Sequence, residues 1–463
     1  MSFQDVLDAK TAHAPRYSAP QGLTRELVEE ISSTKNEPVW MREKRLQAFA
    51  LFSEVNIPTW GPSLAGLDLE KIHYFVRPDA REELTWEKVP EEIRNTFEQL
   101  GIPEAELAGL GGVGAQYDSE MIYHRLREDL AAQGVIFENM DVAVQKYPEL
   151  VQKYFMTQCV AIHDHPFAML HAAVWSGGTF IYVPEGVKVE IPLSAYFRMN
   201  AAQGGQFEHT LIIASKGSEI HYIEGCSAPK YDAAALHAGC VEIFVEEGAK
   251  VQYSSIENWS KNTYNLNTKR AIVDVDGEIV WLNGNMGSSV TMLYPMSILR
   301  GARSKSRYEG FSFAGPGQVQ DTGHKVALVG VDTSAVVHAK SIAIAGGVST
   351  YRGLVKITKS AKNASAHVVC DGLMLDAGSR TNAIPVITSE QPHAEMMHEA
   401  KVGKVDDRAL AYLVARGMRA DDALHTMVSG FVDPLVKQLP LEYAVELMKL
   451  VELEVRRASA KNV

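Results

Sequence analysis

The four cysteines of this chain, Cys159, Cys226, Cys240 and Cys370, carry its softest metal-binding groups and its most reactive nucleophiles. None of them stands in a C-x-x-C pair, so they predict neither a disulfide framework nor a self-contained four-cysteine zinc or iron–sulfur site. Any soft-metal chemistry must therefore use mixed ligands or a second chain.

One set of mixed ligands lies late in the sequence, where Glu399 follows Cys370 by 29 residues and His398 stands beside the glutamate. Thiolate, imidazole and carboxylate together suit iron or zinc. If the chain repeats with a period near 30 residues, Cys370 and Glu399 would be stacked on adjacent coils and point at one spot. The alternative is a buried structural cysteine near surface histidine and glutamate side chains.

Two other motifs carry less weight. His163 and His165 flank Asp164, but nothing else in the sequence completes a tetrahedral metal site, so a solvated loop is favoured.

The stretch GLGGVG at residues 109–114 matches the dinucleotide fingerprint. It follows a helical pattern instead of a strand, which argues against nucleotide binding. The chain also lacks both a P-loop and a G-x-S-x-G motif, so it is not expected to hydrolyse ATP or esters by itself.

Charge and hydropathy limit the partners. With 45 basic and 57 acidic residues the net charge is −12, which disfavours a nucleic-acid groove or an anionic membrane surface. No apolar run is long enough to cross a membrane, and the N-terminal residues lack the pattern of a signal peptide. We therefore expect a cytoplasmic protein without nucleic-acid or membrane partners.

The elements that must position these residues show a repeat. From about residue 170, runs of β-branched and aromatic residues alternate with turns, and Gly186, Gly217, Gly248 and Gly277 recur at spacings of 31, 31 and 29 residues. A strand–turn–strand unit of this period is typical of a solenoid. The pattern predicts a mainly β fold with a parallel β-helix over residues 141–400, with Gly186, Gly217, Gly248 and Gly277 in equivalent turns; a β-sandwich is the alternative.

Helical periodicity flanks this region on both sides. It predicts helices over residues 23–31, 39–52 and 118–132 in an N-terminal region spanning residues 1–140, and amphipathic helices in a C-terminal region spanning residues 401–463. The C-terminal apolar stripes include Leu424, Val428 and Leu435 in one helix and Leu447 and Val451 in the next. These stripes suit either a cap on the open end of the solenoid or a docking surface for a partner.

Many short segments in one order resemble the SufB branch of the SufB/SufD family of the SUF iron–sulfur cluster assembly system. The resemblance runs from about residue 40 to about residue 455. It rests on IPTWG at 57–61, GAQYDSE at 114–120, GVIF at 134–137, AVWSGG at 173–178, YIEGCSAP at 222–229, NW at 258–259, TKR at 268–270, HEA at 398–400 and SGF at 429–431.

This resemblance implies a right-handed parallel β-helix, an N-terminal helical region and C-terminal helices that dock the ABC-type ATPase SufC. The chain itself would be a scaffold and not an enzyme, and ATP would act only through the partner ATPase. A transient iron–sulfur cluster would form where the chain meets SufD or a second SufB-like subunit in a dimer. The other partners implied are a sulfur donor protein and apo iron–sulfur client proteins.

The resemblance also implies roles for individual residues. Cys370 and Glu399 correspond to the cluster-site thiolate and carboxylate, with His398 beside them as a further metal ligand, and Cys226 corresponds to the sulfur acceptor. The polar residues matching a proposed sulfur path through the β-helix are Arg198, Asn200, Trp259 and Lys269, with Glu257 where better-known bacterial members carry glutamine.

Two alternative functions remain at this point. A SufD-like structural paralogue is the nearest relative that could be confused with SufB, although Cys226 and the pair of Cys370 and Glu399 favour SufB. A β-helix enzyme acting on polysaccharide would need a carboxylate-lined groove on its outer face. Such enzymes are commonly secreted, and the sequence shows no signal peptide.

Overall fold

A computed structural model describes residues 10–11, 15–83, 85–99, 110–438 and 441–460. The fold is mainly β: a solenoid of about eight turns carries helices on its N-terminal and C-terminal sides. This confirms the predicted fold class. The division into three units at residues 140 and 400 stays a prediction. Among the described residues, no helix has the length and apolar character needed to span a membrane.

The strands follow each other closely through the middle of the chain. They are β1 (Pro15–Ser18), β2 (Val76–Pro78), β3 (Gly112–Tyr117), β4 (Glu120–Leu126), β5 (Ile136–Asn139), β6 (Thr179–Val183), β7 (Lys188–Arg198), β8 (Gly205–Gln206), β9 (His209–Ala214), β10 (Glu219–Ser227), β11 (Ala235–His237), β12 (Cys240–Val245), β13 (Lys250–Trp259), β14 (Thr263–Asn265), β15 (Thr268–Val273), β16 (Glu278–Gly287), β17 (Val290–Leu293), β18 (Met296–Leu299), β19 (Lys305–Ala314), β20 (Val319–Thr322), β21 (Lys325–Leu328), β22 (Ser334–Ala343), β23 (Val348–Ile357), β24 (Ser365–Met374), β25 (Arg380–Ser389) and β26 (Glu395–Lys404).

The helices lie before and after the solenoid. They are α1 (Arg25–Thr34), α2 (Val39–Ser53), α3 (Glu91–Gln99), α4 (Glu128–Ala132), α5 (Met140–Lys146), α6 (Pro148–Tyr154), α7 (Pro166–Val174), α8 (Asp407–Ala415), α9 (Ala420–Val436) and α10 (Leu441–Ala460), with short 3₁₀ turns at Leu69–Lys71 and Trp86–Lys88. The helices predicted over residues 23–31 and 39–52 are confirmed as α1 and α2.

Most coils of the solenoid contribute one long strand and two short ones, and in the last coils the ten-residue strands β23 and β25 replace the two short strands. The long strands β7, β10, β13, β16, β19, β22, β24 and β26 stack in parallel as one sheet, which β3 and β4 extend at the N-terminal end. The short strands build two further faces, which join where β23 pairs with both β20 and β21. No helix interrupts the chain between Thr179 and Lys404, which excludes an alternating β–α arrangement.

A ladder of left-handed residues marks one corner of successive coils. Gly186, Gly217 and Gly248 have φ values of 72°, 67° and 68°, and the backbone N–H of each donates to a carbonyl of the next coil at 2.8 Å. A positive φ costs glycine little because it has no Cβ. The predicted equivalence of these three turns is confirmed.

Gly277 is the exception to the predicted equivalence. The corresponding left-handed residue is Asp276, with φ 55°, and its N–H donates to the next coil at 2.9 Å. Gly277 follows it with φ outside the left-handed region, and a Cβ there would lie 2.9 Å from Val273 Cγ1. Glycine therefore recurs at this spacing for two different physical reasons. Three of the corners need a positive φ, and the fourth glycine is needed for close packing.

The prediction of one helix over residues 118–132 is wrong. Asp118, with φ 51°, helps form the turn between β3 and β4, and β4 pairs antiparallel with β3. Met121, Ile122 and Tyr123 are consecutive and all buried, so this segment has apolar contacts on both faces, which a strand covered on both faces satisfies and an amphipathic helix does not. Helix α4 is confined to the last few residues before Gly134.

Three hydrophobic clusters hold the layers together. The first fills the solenoid interior, and the second joins one outer face to an N-terminal layer made of α1, α2 and α5–α7. The third joins the outer face of the long-strand sheet to α9 and α10. The solenoid is thus covered on two sides by helices.

The C-terminal apolar stripes pack against the side of the solenoid and not across its end. Val428 and Leu435 of α9 and Leu447 and Val451 of α10 are buried in the third cluster. Their partners there are Ile256, Leu282, Phe311 and Ile342 on the outer face of four consecutive long strands. An end cap is therefore the wrong interpretation of these stripes. They are also occupied within the chain, so a docking surface must use other residues.

Candidate functional site

The interior of the solenoid places Cys226 beside a set of charged side chains. Cys226 lies on β10, in register with Glu257 on β13, and both are buried. Register neighbours on parallel strands point to the same side of the sheet, so the thiol and the carboxylate face the interior together. The sequence does not reveal this contact, because Cys226 and Glu257 are one full coil apart along the chain.

Lys269 enters the same interior from β15 and pairs with Glu257. Its Nζ lies 2.5 Å from Glu257 Oε1 and 3.6 Å from Glu224 Oε1, and all three side chains are buried. Asn265 Nδ2 donates to the other Glu257 oxygen at 2.5 Å. Burial alone would raise the pKa of Glu257, but the attraction of Lys269 and His237 outweighs it and lowers that pKa. Glu257 is therefore held as a carboxylate by its buried cation.

A second acid–base pair continues this polar interior. His237 Nε2 lies 2.5 Å from Glu208 Oε1, and the His237 ring lies against Trp259 with centroids 4.1 Å apart. Burial disfavours the imidazolium, yet the neighbouring Glu208 carboxylate raises the pKa of His237 overall. Ligand atoms of Glu208, Glu224 and Cys226 lie within 4.8 Å of one another. These residues form what we call the interior cluster: Cys226, Glu208, Glu224, Glu257, His237, Lys269 and Trp259.

The Cys226 thiol keeps its proton in this environment. Burial raises its pKa well above the ordinary value, and the Glu224, Glu257 and Glu208 carboxylates raise it further, while Lys269 opposes them. Neighbouring cations favour a thiolate, and Lys269 is such a cation, but the three carboxylates outweigh it. Sulfur acceptance at Cys226 would therefore require removal of a proton, and the neighbouring carboxylates are the bases available.

Arg198 and Asn200 lie at the C-terminal end of β7 and just beyond it. Arg198 is fully buried and donates from Nη1 to Ser227 Oγ at 2.9 Å, next in sequence to Cys226. The Asn200 backbone N–H donates to Asp118 Oδ1 at 2.6 Å. These two residues thus border the turn between β3 and β4. Arg198 is in register with Ser227, so its side chain points to the opposite face of the sheet from Cys226, whereas Trp259 and Lys269 belong to the interior cluster.

A cleft lies between the N-terminal layer and the outer face of β15. It has a volume of about 370 Å³, and its lining includes Trp60, His165, Asp164, Arg270 and Lys325. Arg270 pairs with Asp164 at this opening. The Lys269 side chain is fully buried and points to the opposite, interior face of the strand, so the cleft and the interior cluster lie on opposite sides of β15.

A separate thiol site lies on the last coils. Cys370 of β24 and His398 of β26 face the same side of their sheet, and Sγ lies 3.8 Å from Nε2. Burial and the nearby Asp371 raise the pKa of Cys370 to about 12, against a hydrogen bond with Tyr351 that lowers it. The site sits at the end of the solenoid, where β26 has one neighbour, β24, among the described strands.

Glu399 does not converge with Cys370 within this chain, contrary to the expectation from their spacing. Glu399 is in register with Val369, whereas Cys370 is in register with Ala400. Because successive strand residues alternate between faces, the carboxylate points to the opposite side, where Lys401 Nζ lies 2.7 Å from Oε1. The Lys401 hydrogen bond lowers the pKa of this exposed carboxyl. His398 takes the position expected of Glu399.

His163 and His165 lie at the end of the loop that leads into α7. His163 is exposed, and His165 caps α7 by accepting the Ala168 N–H on Nδ1 at 3.3 Å. The other His165 nitrogen lies 3.0 Å from Thr268 Oγ1. Capping of a helix N-terminus explains this histidine.

Comparison with known proteins agrees with the geometry. Residues 197–431 match the family described as "SUF system FeS cluster assembly, SufBD core domain", and residues 25–194 match the "SufBD protein N-terminal region". The chain belongs to the SufBD family. Iron-sulfur cluster assembly SufBD family proteins of Staphylococcus aureus (strain MRSA252) and of Staphylococcus epidermidis (strain RP62A) are each 45% identical to it over 438 residues, covering 95% of this chain and 94% of the relative.

Membership of the SufBD family makes this an iron–sulfur cluster assembly protein of the SUF system. Cys226, Glu257, Lys269, Cys370 and Glu399 all fall within the SufBD core match. The interior cluster and the terminal thiol site are therefore both features of the part of the fold that defines the family.

Sequence reasoning missed several members of the interior cluster. Glu208 lies just before β9, Glu224 on β10 and His237 on β11, and no motif in the sequence joins the three residues. One signal was present: His237 lies 29 residues after Glu208, close to one coil length. Applying the repeat spacing to every charged residue, and not only to Cys370 and Glu399, would have brought this pair together.

Proposed function

We propose that this SufBD chain is the SufB-type scaffold subunit, which builds a labile iron–sulfur cluster and passes it to apo-proteins. The observation that carries the proposal is the pair of Cys370 and His398 at the end of the solenoid, beside a sheet edge that has no further strand among the described residues. A thiol next to an imidazole at an open edge supplies part of a ligand set and leaves room for the rest.

The remaining ligands would come from a second SufBD subunit, either SufD-type or another copy of this chain. The last strands of the two sheets, β25 and β26, are ten residues long each and expose apolar side chains. Those more than 40% exposed include Val386, Ile387, Met397 and Val402. Long exposed edges of this kind are normally covered, and a partner's strands would cover them.

Glu399 fits this dimer better than it fits a site within one chain. It is exposed on the same last strand, and its side chain points away from Cys370. A partner subunit seated on the edge would bring its own groups to both faces of β26. We propose that Glu399 completes iron coordination at that interface, where Lys401 would have to release it.

The mixed ligand set explains why the cluster would be transferable. Stable clusters are held by four cysteine thiolates. A cluster held by Cys370, His398, Glu399 and partner groups has carboxylate and imidazole positions that are weaker partners for iron in a sulfide cluster. Client proteins with complete cysteine sets would then extract it.

Sulfur would reach the scaffold through the interior cluster. Cys226 would accept sulfur delivered by a donor protein, and Glu257, Lys269 and Trp259 would line its path. Arg198 and Asn200 would extend that path toward the turn between β3 and β4. The buried Lys269, paired with Glu257 inside the solenoid, is a cation placed to attract a sulfur-bearing anion. All of these roles require Cys226, and the presence of this cysteine favours a SufB-type over a SufD-type assignment.

Coupling to a SufC-type ATPase would use α8. The stripes of α9 and α10 are buried against the solenoid, whereas the described side chains of α8 include no buried residue. Tyr412 and Val414 on α8 are 58% and 41% exposed. ATP-driven movement of the docked subunits would open and close the dimer edge, a rigid-body change at an interface.

One experiment tests the assignment as a whole. The full chain, purified anaerobically with co-expressed SufC-type and SufD-type subunits, is reconstituted with iron and sulfide and then mixed with an apo-ferredoxin. A scaffold gives charge-transfer absorbance that moves to the ferredoxin. Cluster formation that is unchanged when Cys370 and Cys226 are both replaced would contradict the SufB-type role and favour a SufD-like one.

A further inference from the structure

A third group of metal-ligand side chains lies outside the solenoid interior, under the N-terminal layer. His209 begins β9 and Cys240 begins β12, and the two are register neighbours on adjacent coils. His171 of α7 covers them from the helical side. Ligand atoms of the three residues lie within 4.8 Å of one another, and none of the residues is more than 1% exposed.

The hydrogen bonds of His171 fix which of its nitrogens can act as a ligand. Its Nδ1 lies 2.9 Å from the Ala238 carbonyl oxygen, which can only accept, so Nδ1 carries the proton. The lone pair is therefore on Nε2, and Nε2 lies 3.0 Å from His209 Nδ1. Two imidazole nitrogens bound to one tetrahedral metal ion at about 2.0–2.1 Å would lie at a similar separation, about 3.3 Å.

His209 has a matching partner on its other nitrogen. Glu242 Oε2 lies 3.3 Å from His209 Nε2, yet within the described part of the chain Nε2 makes no hydrogen bond. A metal ion on Nδ1 would place the imidazole proton on Nε2, facing that carboxylate. Metal-bound histidines normally donate their second N–H to a carbonyl or a carboxylate, and Ala238 and Glu242 supply one of each.

We propose that His171 Nε2, His209 Nδ1 and Cys240 Sγ bind a thiophilic divalent cation, with Zn²⁺ as the best fit. Two nitrogens and one thiolate are typical zinc ligands. A divalent ion would offset the charges of the Cys240 thiolate and the Glu242 carboxylate, which are costly to bury unpaired. The ion would tie α7 to two coils of the solenoid.

This site is distinct from the proposed cluster chemistry. Cys240 packs in the hydrophobic cluster between the solenoid and the N-terminal layer, whereas Cys226 and Cys370 belong to the cluster inside the solenoid. Its burial suits a structural ion that is acquired during folding and not a transferable one. The proposal stands whether or not the chain proves to be SufB-type.

The test uses full-length, tag-free protein in a background with Cys226→Ala and Cys370→Ala, which removes the two proposed cluster thiols. Cells are grown in minimal medium with Zn²⁺ or with Co²⁺, so that the ion is present while the chain folds. We expect one metal ion per chain by elemental analysis. In the cobalt sample we expect thiolate-to-cobalt charge-transfer absorption and tetrahedral d–d bands.

Cys240→Ser in that background should abolish the thiolate-to-cobalt absorption and lower the metal content severalfold. Cys159→Ser is the matched control, because Cys159 is an equally buried thiol whose Sγ donates to the Arg270 carbonyl at 3.2 Å. If Cys240→Ser fails to fold, His171→Gln, which removes one nitrogen ligand, should shift the cobalt bands. Metal-free protein, or a charge-transfer band lost in Cys159→Ser and kept in Cys240→Ser, would overturn the proposal.

Discussion

Cys370 Sγ lies 3.8 Å from His398 Nε2, on neighbouring strands at the last coil of the solenoid. The thiol is mostly enclosed and its pKa is raised to about 12, so it holds a proton until a cation displaces it. The imidazole stands two residues along β26 from Ala400, the register partner of Cys370, so it faces the same side of the sheet as the thiol. In the proposed cluster site, Cys370 and His398 are the ligands held in place within this chain, and the partner subunit would supply the others.

Replacing Cys370 by alanine should remove most of the reconstituted cluster absorbance, because a methyl group cannot coordinate iron. Anaerobic reconstitution followed by absorbance and iron analysis measures the effect. Cys159→Ala is the control, since it removes another buried thiol at a distance from the last coils. If Cys370→Ala assembles a normal cluster and supports client maturation, the site assignment is wrong although the family is right.

His398→Ala and Glu399→Ala should differ in a way that reports where each side chain points. His398 faces Cys370 within the chain, so its loss should weaken cluster retention with either kind of partner subunit. Glu399 faces the other side, so its loss should matter only when the dimer forms. The measurement is the rate of cluster loss to a chelator in isolated chain and in complex. Equal effects of both variants in the isolated chain would contradict this geometry.

Replacing Cys226 by alanine should impair sulfur delivery in cells and spare chemical reconstitution. Free sulfide can reach iron at the last coils without passing through the interior cluster, whereas sulfur from a donor protein is proposed to use Cys226. Activity of an iron–sulfur client enzyme in cells and cluster yield in vitro are compared for the same variant. A loss of cluster in both assays would instead place Cys226 in the ligand set.

The buried pair of Glu257 and Lys269 should be strongly coupled. Removing one partner leaves an uncompensated buried charge, which typically costs about 3–5 kcal/mol, while removing both costs less than the sum. Denaturant unfolding of Glu257→Gln, Lys269→Met and the double variant gives the coupling. If the effects of the two substitutions on the free energy of unfolding are additive, Glu257 does not stabilise Lys269, and Glu224 alone pairs with the lysine.

The coupling between Glu257 and Lys269 should also depend on pH. The pKa of Glu257 is lowered in the folded chain. The contribution of Glu257 to the free energy of unfolding is therefore complete above the ordinary glutamate pKa of 4.5, and it is lost as the pH falls through the lowered pKa. The pKa of Lys269 is raised, so the lysine contribution is lost only at alkaline pH, above its ordinary value of 10.5. The double-mutant cycle, repeated at neutral pH and at pH values well below 4.5, checks this direction.

The sequence predicted the solenoid because each coil repeats one local requirement. Gly186, Gly217 and Gly248 each sit in a corner with positive φ, and such a requirement leaves a visible period. The period stops being visible where Asp276 and Arg303 take the same left-handed corner. The β3–β4 hairpin was missed because its contacts are tertiary: both faces of β4 are buried by neighbours distant in sequence.

Site residues were harder to predict than the fold, since a spacing near one coil fixes neighbours only to within a residue or two. A shift of one residue reverses the face of a strand. That is why Cys370 and Glu399 were expected together and His398 takes the place of Glu399. The interior cluster depends on the strand register across several coils. The sequence positions of Glu257 and Lys269 do not reveal that register.

Charging α8 should abolish ATPase docking without disturbing the solenoid. A deletion of residues 405–463 is the cruder test, because it would also bare Ile256 and Phe311 under α9 and α10. Tyr412→Ala with Val414→Asp alters only exposed side chains of α8, so the strand-rich circular dichroism spectrum should be unchanged.

The control for this variant is Val39→Asp, at the first position of α2, where Val39 is 72% exposed and an acidic residue suits the helix N-terminus. We expect SufC binding, measured by co-purification and by calorimetric titration, to weaken at least tenfold in the α8 variant and to stay unchanged in the control. The proposed cycle needs the ATPase to move the dimer edge, so the α8 variant should also fail to mature client proteins in cells while still accepting a cluster by chemical reconstitution. Full SufC affinity in the α8 variant would move the docking surface elsewhere on the chain.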